Sequence, residues 1–300
     1  MIIDPIDLKL LRHLEAQGYI PISEIINKFL ITKEEILLRV KNFEDEGLIS
    51  RYGVKCFIPA IAGGKWFRGC AFIDSSGEIE FNRAIPLAEE VIENITIPSG
   101  VMPNKVLLFY AQNLKECYRL LHRTPNVKYV EIYKVGEYNV TPGYDLSKEE
   151  WRVVLQLFEN NFNFKNINTI ISEPSREDEV RLSRLLLHQG NRRGLFSIIP
   201  EINWNLIKNF AHLHIGITTR LNSRDLKKIL KKLRCASNIT TLFKKRFLQV
   251  EFDLWGFSDI QNILNFLFGE NRIKLQGFSF ARCNRIIDNW IRDLADERAK

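Results

Sequence analysis

The residues best suited to chemistry are a histidine pair and several groups of cations. His212 and His214 alternate in "FAHLHIGITT", so on a strand both point to one side. An H-x-H pair can ligate a metal when a third ligand joins it. The sequence offers no evident third ligand, so no metal site is expected. The five cysteines, Cys56, Cys70, Cys117, Cys235 and Cys283, are scattered, odd in number and free of any CxxC. They read as reduced, structural thiols of a cytoplasmic protein. There is no P-loop, GxGxxG, HExxH or GxSxG, and no Ser/His/Asp arrangement with a local signature. No catalytic residue and no cofactor is therefore assigned, and the chain is not expected to be an enzyme.

The cations suggest a different chemistry. The formal net charge is +7 and the pI about 9.1. Excess positive charge favours polyanions, because neutralised phosphates release their counterions. Lys33, Arg39 and Lys41 fall in "ITKEEILLRVKNFEDEGLIS", and Arg51, Tyr52 and Lys55 follow it. A second set, Arg176, Arg181 and Arg184, falls in "PSREDEVRLSRLLLHQGNRRG", which ends with Arg192 and Arg193. On a recognition helix such side chains reach base edges, and flanking cations hold phosphates. Glu34, Glu35, Glu44 and Asp45 in the first set, and Glu177, Asp178 and Glu179 in the second, weaken the positive field. The densest basic run, "RLNSRDLKKILKKLR", reads first as a solvated helix face, with Leu226, Ile229, Leu230 and Leu233 inward.

Local signals define the elements that must position these residues. Asp4 and Pro5 start a helix that Gly18 ends, and a second helix spans about Ile22 to Phe29. Thr32 and Glu35 form a capping box for a third helix, which buries Ile36, Leu37, Val40 and Phe43 and stops at Gly47. "SRYGVKCFIPAI" then suggests a β-wing. Next come a strand at Lys65 to Asp74, a helix at Glu80 to Ile95 flawed by Pro86, and a strand around Ile95 to Val101. A strand at Asn104 to Gln112, a helix at Asn113 to Thr124 and a strand at Asn126 to Val135 complete a β-α-β-β-α-β order, the ferredoxin-like unit.

"GEYNVTPGYD" reads as a link, and after it the pattern restarts. Ser147 with Glu150 caps one helix, Asn166 to Ile171 suits a second, and Ser175 with Asp178 caps a third that ends at Gly190. Thr32 to Gly47 and Ser175 to Gly190 have equal lengths and an offset of 143 residues. A second β-α-β-β-α-β series and a helix at Asn284 to Lys300 follow. A repeat of this period constrains the architecture more than local propensity does. The expected fold is α+β, a tandem repeat of a winged helix-turn-helix and a ferredoxin-like domain. The expected domains are 1–60, 61–140, 141–205 and 206–300, the last including the C-terminal helix. No segment has the apolar length of a membrane span, and "MIIDPIDLKLL" does not read as a signal peptide.

"DPIDLKLLRHLEAQG", "ITKEEILLRVKNFEDEGLIS" and the β-α-β-β-α-β order resemble the Lrp/AsnC family of transcription regulators, as two tandem copies. The resemblance implies winged helices that bind double-stranded DNA and ferredoxin-like (RAM-type) domains that pair sheet against sheet. In one chain this pairing would give an intramolecular pseudo-dimer, and self-association would use the same domains. The family's amino-acid effectors are not implied here: "VMPNKVLLF" and "LFKKRFLQV" lack the G-x-x-D of the ligand loop, so any small-molecule effector has no assigned identity. The same architecture also resembles the siroheme decarboxylases, tetrapyrrole enzymes built of Lrp-like subunits, and this alternative stays open. So does a protein-interaction scaffold.

Overall fold

The computed structural model describes residues 1–18, 21–95, 103–140, 145–159, 163–186, 194–230, 236–241, 247–270 and 272–300. The first half of the chain contains α1 (Pro5–Gln17), α2 (Ile22–Phe29), α3 (Lys33–Asp45), β1 (Ile49–Cys56), α4 (Ile58–Ala62), β2 (Gly64–Ser75), α5 (Phe81–Ala84), β3 (Ala88–Ile95), β4 (Lys105–Ala111), α6 (Leu114–Arg123) and β5 (Val127–Val140). The second contains α7 (Lys148–Glu159), α8 (Phe164–Ser172), α9 (Glu177–Leu186), β6 (Phe196–Ile202), β7 (Phe210–Thr219), α10 (Ser223–Leu230), β8 (Ala236–Thr241), β9 (Phe247–Trp255), α11 (Phe257–Gly269), β10 (Ile273–Ile286) and α12 (Asn289–Arg298).

The helix starts follow from hydrogen bonds that the sequence encodes locally. Asp4 accepts from the Ile6 and Asp7 N–H groups, and the Asp7 carboxylate accepts from the Asp4 N–H. This reciprocal capping box satisfies N–H groups that a helix end leaves open. Ser147 and Glu150 make the same reciprocal pair before α7. At α3 the box is only half formed. Thr32 Oγ1 accepts from the Glu35 N–H at 3.2 Å, but the Glu35 carboxylate turns to Arg39. Before α9, Ser175 bonds to Glu179 and not to the expected Asp178. Gly190, the expected stop of that helix, lies outside the described residues.

Two expectations fail for clear reasons. The helix expected at Glu80 to Ile95 shrinks to α5, one turn before Pro86, and the rest is β3. Proline cannot donate within a helix and disfavours helical backbone before it, so the segment extends. The β-wing is also absent as a hairpin. β1 is a single strand that pairs antiparallel with β6 of the second copy, from Ile49↔Ile202 to Cys56↔Phe196. Gly53 is therefore no turn residue. A Cβ there would lie 2.3 Å from Ile286 Cβ, so its role is close approach.

The other eight strands form one sheet in the order β5-β2-β4-β3-β10-β7-β9-β8. In each half the first strand of the β-α-β-β-α-β series lies between the third and fourth, and the second strand is at the end. This is the antiparallel ferredoxin-like order, made twice. The halves join edge to edge through β3 and β10, which replaces the expected sheet-against-sheet pairing. Asn284 Nδ2 on β10 donates to Glu90 Oε1 on β3 at 3.0 Å. Behind the second half, Leu226 and Leu230 of α10 and Ile263 and Leu267 of α11 pack on Leu213, Ile215, Val250 and Phe252.

The chain divides into two units. One contains residues 1–65, 138–206 and 285–300, and the other residues 66–137 and 207–284. The two helix-turn-helix copies thus fall in one unit and the eight-stranded sheet in the other. Among the described residues, no helix is long and apolar enough to cross a membrane.

Candidate functional site

The third helix of each helix-turn-helix copy is where a nucleic-acid contact would form. In α3, Ile36, Val40 and Phe43 are buried. This leaves Glu34, Leu38, Lys41, Asn42 and Asp45 exposed. The outward face is therefore mixed in charge, with Glu34 and Asp45 among its exposed residues beside Lys41.

Two of the expected contact arginines are committed to the protein's own carboxylates. Arg39 Nη1 lies 2.7 Å from Asp4 and 2.6 Å from Asp7, and Nη2 lies 2.8 Å from Glu35. The hydrogen bond to Asp4 leads those that raise the Arg39 pKa against the desolvation opposing it. One guanidinium thus ties the start of α1 to the middle of α3. Arg51 Nη2 lies 2.7 Å from Glu201, and Nη1 lies 3.2 Å from Asp288. Asp288 also accepts the Val54 N–H at 3.0 Å, and Glu201 accepts the Ile286 N–H at 2.6 Å. Burial holds Glu201 above the usual carboxylate range, against the Ile286 N–H and Arg51. Tyr52 donates to Glu44, and the same Glu44 oxygen accepts the Phe164 N–H at the start of α8. For Arg39 and Arg51 most of these partners come from distant sequence: Asp4 and Asp7 for Arg39, Glu201 and Asp288 for Arg51.

The other candidates differ in exposure and in pairing. Lys33 and Lys41 have side chains 43% and 66% exposed. Their partners, Glu173 at 3.9 Å and Asp45, are surface carboxylates, and such pairs break at little cost. Lys55 is half-buried on β1, opposite Ser197. In the second copy Arg176 and Arg184 are exposed, whereas Arg181 pairs with Glu177 and Asp178. Arg192 and Arg193 lie outside the described residues, as do Lys231 and Lys232 of the densest basic run. Leu226 and Leu230 of that run are buried as expected, and Lys228 is exposed.

His13 on α1 gives this unit a pH response. Burial first, and Lys28 second, push its pKa down to about 4, and Lys28 Nζ bonds its Nδ1 at 2.8 Å. The unfolded chain therefore binds the proton first as pH falls. Stability from neutral His13 is complete above about pH 6.5 and is lost toward pH 4. After discounting for partial exposure, the loss is on the order of 1–2 kcal/mol. Melting curves at pH 7 and pH 5 should show it, and His13→Asn should flatten the difference.

The histidine pair has the geometry foreseen and also the neighbours that were missed. His212 and His214 lie on β7, 3% and 2% exposed. Across the ladder, His212 faces Asp253 and His214 faces Glu251, both on β9. His212 Nδ1 lies 3.1 Å from Asp253 Oδ1, and His214 Nε2 lies 2.8 Å from His212 Nε2. His212, His214 and Glu251 each offer a ligand atom, all within 4.8 Å of one another. The available signal was the second alternation in "QVEFDLW", which puts Glu251 and Asp253 on one face of a neighbouring strand.

Residues 3–50 match the family model described as winged helix-turn-helix DNA-binding. No curated protein matches the chain. Among solved structures, the chain is similar to the siroheme decarboxylase NirDL, with 13% identity over 98% of each chain and a TM-score of 0.49. The same enzyme in co-complex with an iron-uroporphyrin III analogue gives 13% identity over 97% of this chain and 98% of that one, at a TM-score of 0.46. PH0061 gives 16% identity over 47% of this chain and 98% of its own, at 0.30.

Proposed function

We propose that the chain is a transcription regulator of the Lrp/AsnC kind that binds double-stranded DNA through its helix-turn-helix copies. The match of residues 3–50 to a DNA-binding winged helix-turn-helix carries this reading. The repetition of its three-helix order in α7, α8 and α9 supports a second contact. Phosphate contacts fall to Lys33 and Lys41 in the first copy and to Arg176 and Arg184 in the second. Arg39 and Arg51 hold the scaffold in place and do not touch DNA. Acids beside each third helix keep affinity modest and salt-sensitive. Two different third helices favour an asymmetric operator over a palindrome.

Double substitution Lys33→Ala/Lys41→Ala should weaken binding to all DNA sequences alike. It should also lower the slope of log affinity against log salt by about 2. Fluorescence anisotropy across a salt series measures both. An unchanged slope would remove α3 from the interface.

A second reading, a siroheme decarboxylase-like enzyme, is favoured by one observation. The buried His212, His214 and Asp253, with the partly buried Glu251, form a cluster of ionisable groups on β7 and β9. A tetrapyrrole absorbance band that copurifies with the chain, with no DNA binding, would establish it over the regulator.

A further inference from the structure

We propose that His212, His214 and Glu251 form a binding site for a divalent transition metal of the zinc class, with Asp253 positioning His212. The site lies on the sheet face opposite the helices. Leu213, Ile215, Val250 and Phe252 point to α10 and α11, so their alternating neighbours point away from them. On that other face the register places His212 opposite Asp253 and His214 opposite Glu251.

The donor chemistry suits such an ion. Two imidazoles and one carboxylate are a common zinc set that leaves a further position open. Asp253 completes the pattern from outside the ligand set. By accepting from His212 Nδ1–H at 3.1 Å, it fixes the tautomer that turns the Nε2 lone pair toward the other ligands. The two Nε2 atoms already meet, 2.8 Å apart. Metal–nitrogen bonds of about 2.0–2.1 Å in tetrahedral geometry place two such nitrogens roughly 3.3 Å apart. A separation of about half an ångström therefore replaces their hydrogen bond with two metal bonds. His214 moves its proton to Nδ1 as its Nε2 becomes a ligand. Charge points the same way, because a divalent cation compensates the carboxylates set beside the two buried imidazoles.

One further polar group shares the face. Ser279 on β10 lies opposite His214, and its buried Oγ has no hydrogen-bond partner among the described residues. A metal-bound water beside His214 would give this hydroxyl a polar neighbour.

The test uses the whole chain, stripped with EDTA, dialysed, and titrated with Co2+ and then Zn2+. We expect one equivalent of Co2+ to bind with visible ligand-field bands, Zn2+ to displace it, and either ion to raise the melting temperature. Glu251→Gln and His214→Gln, each checked by circular dichroism, should abolish the bands. Asp253→Asn should weaken binding by about 10–100-fold while keeping them. If His214→Gln does not fold, the half-exposed Glu251→Gln alone decides. A folded wild-type chain that takes up no Co2+, or unchanged bands in Glu251→Gln, overturns the proposal.

Discussion

Asp288→Ala is expected to destabilise the helix-turn-helix unit by about 2–3 kcal/mol, mostly the cost of leaving a buried N–H without its acceptor, with a smaller part from the half-exposed Arg51. Asp288 is buried, accepts the Val54 N–H and neutralises Arg51. Its removal leaves a buried N–H on β1 without its acceptor and leaves Glu201 as the nearest anion to Arg51. Asp288→Asn keeps an acceptor for Val54 and should cost clearly less. Urea unfolding followed by circular dichroism reads both variants as shifts in midpoint. A loss below about 1 kcal/mol for Asp288→Ala would mean that Arg51 is not tied down as described.

Arg39→Ala is the second large effect, a loss of about 2–3 kcal/mol. Without the guanidinium, Asp4, Asp7 and Glu35 face one another unneutralised, and two of them also cap α1. Arg39→Lys should recover less than half of the loss, because an ammonium cannot serve three carboxylates with a planar fork. The same pair of variants separates strut from DNA contact. As a strut, Arg39→Ala lowers the melting temperature and leaves the DNA affinity of the folded protein within about twofold. As a DNA contact, it would lower affinity with little change in melting.

These two arginines show where the sequence stops being legible. Each lies in the right place for a DNA contact by local spacing. The carboxylates that claim them are distant, Asp4 and Asp7 for Arg39, and Glu201 and Asp288 for Arg51. The β1–β6 ladder was hidden for the same reason. A strand ending a helix-turn-helix looks like half a wing until its true partner, some 150 residues away, is known. Local signals fared better. The Asp4 and Ser147 caps, the helix at Ile22–Phe29 and the β-α-β-β-α-β element order of both halves are legible because caps, stops and alternation are short-range, although the strand expected at Ile95 to Val101 lies mostly outside the described residues. Pro86 is legible as a flaw, but not as a switch: it ends the helix, and extended backbone takes over. At the histidine pair, alternation shows both strands but not their register, which pairs His214 with Glu251.

The measurement closest to the central claim is binding of the purified full chain to labelled duplex DNA from its own promoter region, at low and physiological salt. The regulator reading predicts saturable binding that weakens steeply with salt, with a preference for the promoter duplex over an unrelated one. It also predicts that Lys33→Ala/Lys41→Ala reduces this binding and that Arg39→Lys does not. No binding at low salt, by a chain shown to be folded, would contradict it.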